Sequence, residues 1–139
     1  MRIETYAAQY HPTYINVDDT GVGGGLTDIL RAKGLSVSGI NYGAKAKEPS
    51  KYPGVSDELW FDFAEQLPHI TINKDLPDRT ALFQELSTRE WHINDRNLRE
   101  VQKKRDYKKA QNTGSPDLAD SVLLAYYRPA VMPNWDVEI

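Results

Sequence analysis

Two carboxylates, Asp117 and Asp120, stand three residues apart in the run Ser115-Pro-Asp-Leu-Ala-Asp-Ser-Val-Leu-Leu-Ala-Tyr-Tyr127. That spacing puts both on one face of the first turn of a helix. Ser115 reads as the N-cap, and Pro116 as the first helical residue, where its missing N–H costs nothing. Val122 and Leu123 then open a buried face. Acids at a helix start gain about 0.3–1 kcal/mol each from the macrodipole, so this spacing alone is satisfied by a structural role. A second acidic pair, Asp18-Asp19, opens a chemical alternative. Hard oxygen donors from Asp18, Asp117 and Asp120 could converge on Mg²⁺ or Mn²⁺. Two such ions, roughly 3.5–4 Å apart, clamp the attacking and leaving oxygens of a phosphodiester cleavage. Lys103, Lys104, Arg105, Lys108 and Lys109, just ahead of the acidic turn, offset its charge and offer contacts to a phosphate backbone.

Asp18-Asp19 leads into Thr20-Gly21-Val22-Gly23-Gly24-Gly25, a turn that superficially suits a nucleotide. A dinucleotide fingerprint needs glycine at its sixth position, where counting from Gly21 or Gly23 gives Leu26 or Asp28. No Gly-Lys-Ser/Thr triplet occurs either, so the phosphate-cradling loop is excluded. What remains is a carboxylate at a strand end beside a turn free of bulky side chains. His11, His69 and His92 have no metal-ligand spacing and read as structural or surface residues.

The elements that must position these acids follow from periodicity. Residues 2–10 read as a helix with Ile3, Tyr6, Ala7 and Tyr10 on one side, ended by His11-Pro12. Residues 14–17 read as a strand, 26–33 as a helix carrying Leu26, Ile29 and Leu30, and 35–40 as the next strand. A strand–helix–strand order implies a parallel pair with a right-handed crossover. Residues 41–53 read as a loop, and 55–67 as a helix presenting Leu59, Trp60, Phe63 and Leu67 inward. Residues 69–72 form a short extended piece. A helix starts at Asp78 or Arg79 with Leu82, Phe83 and Leu86 inward. Residues 89–93 and 98–101 then read as a hairpin turning at Asn94-Asp-Arg-Asn97. Tyr126, Tyr127 and Trp135 are expected to pack the tail rather than stack on bases.

With 40% hydrophobic and 27% charged residues, the composition is that of an ordinary globular domain. A net charge of −3 excludes a uniformly basic nucleic-acid coat but permits a local basic patch. The absence of Cys excludes disulfides, thiolate metal sites and a thiol nucleophile. No apolar run reaches membrane-spanning length, and no signal-peptide pattern opens the chain.

Taken together, Val17-Asp-Asp-Thr-Gly-Val-Gly-Gly-Gly-Leu26, Lys104-Arg-Asp-Tyr-Lys-Lys109 and Ser115-Pro-Asp-Leu-Ala-Asp-Ser121 resemble the C-terminal nuclease domain of tailed-phage terminase large subunits. The resemblance runs over about residues 15–125. It implies an α/β fold of ribonuclease H-like type, a mixed sheet flanked by helices and related to Holliday-junction resolvases, with 1–139 a single partial domain. It implies Asp18 as the metal-binding carboxylate of the central strand, Asp117 as that of the last helix, and Asp120 as a ligand or close neighbour. Asp19 is the lesser candidate. Lys104 matches the family's lysine upstream of the last helix. The implied activity is Mg²⁺- or Mn²⁺-dependent endonucleolytic cutting of concatemeric double-stranded DNA. The implied partners are a terminase ATPase domain, the small terminase subunit and the portal, in the cytoplasm of a bacterial host carrying a phage or prophage.

The chain also departs from that family. The family's first metal-binding Asp lies on a strand, followed by a hairpin, ahead of the helix that begins here at Arg2. No Asp precedes Asp18, and Glu4 is the sole acid before it. The resemblance therefore implies a domain lacking its N-terminal strand and hairpin, with an incomplete two-metal site. It also implies an open sheet edge able to pair with another chain, a second copy included. Two further readings stand beside it: a non-catalytic DNA-packaging or assembly module on the same fold, and a resolvase-like nuclease.

Overall fold

Strand β1 (Ile15–Asp18) and strand β2 (Val37–Ile40) lie parallel, with Ile15 opposite Val37 and Asp18 opposite Ile40. Helix α1 (Arg2–Tyr10) precedes them and helix α2 (Gly25–Ala32) joins them. This is the strand–helix–strand unit that the alternating pattern predicts. The structure, a computed structural model, describes residues 2–21 and 25–129; Val22 to Gly24 of the glycine turn and the tail with Trp135 lie outside the described residues. Of the apolar residues on α2, only Leu30 sinks into the core, beside Thr27, whereas Leu26 and Ile29 stay exposed. Gly34 ends α2 at φ +81°, a left-handed conformation that glycine reaches without strain. These elements form a first compact unit spanning residues 2–41, and Tyr42–Arg128 form a second.

The second unit is built on helix α3 (Val55–Gln66) and helix α6 (Asp117–Tyr126), with helix α4 (Arg79–Thr88) packed on α6. Val55, Leu59 and Phe63 recur every four residues on α3 and are buried, as are Ala119 and Leu123 on α6. Their apolar stripes hold the helices together, as tertiary burial rather than helix propensity does for elements this short. Strands β3 (Trp91–Ile93) and β4 (Arg99–Val101) form the predicted antiparallel hairpin. Its turn is closed by the Asn94 side chain, whose Oδ1 accepts the Arg96 and Leu98 N–H groups at 2.9 and 3.0 Å. Helix α5 (Lys104–Gln111) then leads to α6.

Glu58 fixes the long connection that precedes α3. Its side chain is fully buried and accepts the Lys47 and Glu48 N–H groups at 3.0 and 2.9 Å and the Tyr127 hydroxyl at 2.9 Å. A buried carboxylate is tolerable only when donors surround it, and here three do. Burial, and then the neighbouring Glu58, push the Tyr127 phenol well above its ordinary range. Tyr127 therefore serves in packing, as the sequence implies.

Three local expectations are corrected. A 3₁₀ turn occupies Leu67–His69, so Leu67 is 50% exposed rather than inward and the extended backbone begins only at Ile70 (φ −94°, ψ 136°), with no strand there. Phe83 is 46% exposed rather than inward. Relative to buried Leu82 it is rotated about 100° around the helix, whereas Leu86 is displaced by only about 40°. The start of α6 differs as well, with consequences for the site. Among the described residues, no helix is long and apolar enough to cross a membrane.

Candidate active site and nucleic-acid face

Helix α6 begins at Asp117, one residue later than expected. Pro116, with ψ near 60°, is the flanking residue, and no side chain at the Ser115–Pro116 junction caps the helix. The cap comes from another element. The Glu85 carboxylate, on α4, accepts the Ala119 N–H at 2.8 Å. An acceptor carrying a full charge satisfies one of the orphan donors and complements the positive end of the helix. Asp117 and Asp120 share this first turn, Asp117 exposed and Asp120 half-buried.

Lys104, the first residue of α5, forms an ion pair with Asp120. The rest of α5 shows why its lysines face water. Tyr107 is buried and its hydroxyl shares a hydrogen bond with Thr88 Oγ1 at 3.0 Å, which anchors one side of the helix. Lys103, Arg105, Lys108 and Lys109 are left exposed around the remaining sides. The basic cluster of the sequence is thus a helix presenting cations, anchored by one aromatic ring.

Beneath this surface lies Arg89, which sequence reasoning placed only in a hairpin strand. Its guanidinium sits 5.5 Å from the Trp60 ring centroid and 5.2 Å from that of Tyr107, and its Nε donates to the Gln102 carbonyl at 2.7 Å. Nη1 is buried and meets no acceptor among the described residues. Burial draws the guanidinium below its ordinary pKa, and the charge of Asp120 works in the opposite direction. Arg89, Lys103, Lys104, Asp57 and Asp120 border a cavity of about 310 Å³. Asp57 accepts the Val101 N–H at 2.9 Å from inside this region. No local signal could have joined residues 57, 89 and 120, because the turns that bring them together lie between them.

In the first unit, Asp18 ends β1 and is exposed; its Oδ1 accepts the Thr20 N–H at 3.0 Å. Asp19 lies partly buried against Gly39, where an added Cβ would come within 2.6 Å of Asp19 Oδ2 and 3.1 Å of Thr27 Oγ1. Gly39 therefore makes room for the Asp19 carboxylate. Of the two adjacent acids, Asp19 is packed into the fold and Asp18 is turned to solvent.

The donors fit a hard cation by type: carboxylate oxygens, two of them on one turn of α6. They do not fit by number, since within the described residues of either unit no three His, Cys, Asp or Glu side chains are grouped to hold a metal ion. One of the α6 carboxylates is also already engaged by Lys104.

The fold is that of the nuclease domain of a terminase large subunit, the ribonuclease H-like α/β arrangement that the sequence resemblance implies. The nuclease domain of the large terminase subunit gp2 of bacterial virus Sf6 superposes with a TM-score of 0.63 at 18% identity, covering 91% of this chain and 70% of that one. A lysine-to-alanine variant of that domain with manganese gives a TM-score of 0.69 at 15% identity, over 90% of this chain and 70% of the other. The same kind of variant with calcium gives 0.69 over 90% and 69%. No family model and no curated protein sequence matches the chain.

Proposed function

We propose that the chain is a divalent-metal-dependent endonuclease domain of a genome-packaging terminase large subunit, acting on double-stranded DNA. The observation that carries this reading is the first turn of α6. It bears Asp117 and Asp120 directly beside the cationic helix α5, on a terminase nuclease fold. In this reading residues 1–139 act as one partial domain. Asp18, rather than the packed Asp19, is the strand-side carboxylate, and Asp117 and Asp120 are the helix-side ones. When bound, Mg²⁺ or Mn²⁺ supplies Lewis-acid activation of the phosphodiester and of water. The residues' own task is to hold hard oxygens towards the scissile phosphate. Lys103, Lys104, Arg105, Lys108 and Lys109 hold the DNA backbone and offset the repulsion between phosphate and carboxylates.

Among the described residues, Asp18, Asp117 and Asp120 are too few to complete a two-ion site, so the reading requires further ligands from another segment or another chain. The wider partners it carries are the terminase ATPase domain, the small subunit and the portal, and the setting is the cytoplasm of a phage-bearing host. The test is Mn²⁺-dependent nicking of a supercoiled plasmid. Nicking that disappears in both Asp117→Ala and Asp18→Ala, with helical content unchanged, supports the enzyme. DNA binding without cleavage at any Mn²⁺ concentration, with the terminase ATPase domain present as well as absent, favours a non-catalytic packaging module instead.

A further inference from the structure

We infer that the free edge of β3 is a self-association surface, on which a second copy of this chain adds its own β3 antiparallel. Among the described residues the β3–β4 hairpin is a two-stranded sheet, so each strand has one side on which no described strand lies. On β4 that side is closed: the Arg99 N–H donates to the Lys51 carbonyl at 2.8 Å and the Val101 N–H to Asp57 Oδ1 at 2.9 Å. In an antiparallel pair, alternate residues exchange bonds with the partner strand while those between direct their N–H and C=O outward. The bonds flanking the pair, Asn94 N–H to Leu98 O and Gln102 N–H to Glu90 O, set the phase. Trp91 and Ile93 therefore turn their backbone groups to the open side.

The same two residues are large, apolar and exposed, Trp91 by 53% and Ile93 by 51%. Native sheets ordinarily protect an edge with charge, proline or a bulge, and the three residues of β3 carry none of these. Phe61 meets the Trp91 ring edge-on at 5.3 Å and holds it in place. The apolar surface runs on from there across Ala64 towards Leu67 and Phe83, which widens the contact beyond the strand.

The order of residues selects a second copy as the occupant. An antiparallel pairing centred on His92 sets each Trp91 opposite the second copy's Ile93, an aromatic on a β-branched side chain, and does so twice. Each of these pairs can exchange both of its backbone bonds. In this register Glu90 stands opposite the second copy's Asn94, an amide and not a like charge, so the ends of the pairing do not oppose it. An unrelated strand has no reason to match this reversed pattern.

Sedimentation equilibrium of the full chain should show a monomer–dimer equilibrium, with a Kd on the order of 10–100 μM for so short an edge. Ile93→Lys should leave the far-UV spectrum unchanged and the chain monomeric throughout that range. Should Ile93→Lys fail to fold, a second variant still decides. The two His92 positions face each other as a non-hydrogen-bonded pair, about 4.5 Å between Cα atoms, within reach of a disulfide. In this cysteine-free chain, His92→Cys should cross-link into a dimer under mild oxidation much faster than Gln84→Cys on α4. A monomer at about 200 μM, a dimer indifferent to Ile93→Lys, or equal cross-linking by the two cysteine variants would overturn the inference.

Discussion

Lys104 and Asp120 are joined by an ion pair that spans the start of α5 and the first turn of α6. The pair matters because Asp120 is also one of the three acids proposed to meet a cation. An ammonium group and a divalent ion compete for the same carboxylate oxygens, so in the proposed site Lys104 and the metal would compete for Asp120. The Lys104 side chain is 45% exposed and that of Asp120 is 20% exposed, a setting in which such pairs are worth up to about 1 kcal/mol. Lys104→Ala is therefore expected to tighten Mn²⁺ binding by about two- to fivefold in calorimetry. Unchanged or weaker Mn²⁺ binding would remove Asp120 from the ligand set.

The exposed cations of α5 make a separate prediction about DNA. If Lys108 and Lys109 each neutralise one phosphate, the double variant Lys108→Ala/Lys109→Ala should weaken binding to any duplex sequence alike. The slope of log K against log salt should become shallower by about 0.9 for each phosphate that is no longer neutralised. Fluorescence anisotropy with a labelled duplex over a range of KCl concentrations measures this directly. A variant that binds more weakly while keeping its slope would place these lysines away from the phosphates.

The cap on α6 gives a stability prediction. Glu85 lies 34 positions from Ala119 in the chain, yet its carboxylate takes the place that Ser115 was expected to fill. Glu85→Ala should cost about 1–2 kcal/mol in chemical denaturation, the usual penalty for removing a helix cap. Ser115→Ala should cost no more than about 0.5 kcal/mol, as a surface change does. The opposite ranking would return the cap to Ser115.

Glu85 also marks where local reading stops. The buried stripes of α3 and α6, the Asn94 turn and the parallel β1–β2 pair were legible because each depends on residues a few positions apart. Pairing Asp117 with Asp120 on one turn was legible for the same reason. Phe83 was misplaced because Leu82, Phe83 and Leu86 span too wide an arc for one small helix contact to cover. The Glu85 cap and the placement of Arg89 between Trp60 and Tyr107 were not legible. Each is assembled from separate elements, and a side chain's distant partners leave no periodic trace in the sequence.

Asp57 provides the last test, through pH. Its carboxylate is nearly fully buried, and burial raises its pKa above the ordinary value, with the negative charge of Glu100 adding to the rise and the Val101 N–H opposing it. A carboxyl whose pKa is higher in the folded than in the unfolded chain binds its proton more tightly when folded. Keeping it ionised therefore costs stability, in full above the folded pKa, and the cost vanishes as pH falls through that value towards the unfolded pKa of about 3.9. Asp57→Asn retains an oxygen acceptor for Val101 and removes the titration. The stability of the variant relative to the parent should thus be greatest near neutral pH and should decline steadily on acidification to about pH 4. The pH dependence is the sharper readout, because the absolute difference also contains any change in packing. Thermal melts at a series of pH values measure it, and a difference that stays flat or grows on acidification would show that burial does not control this carboxyl.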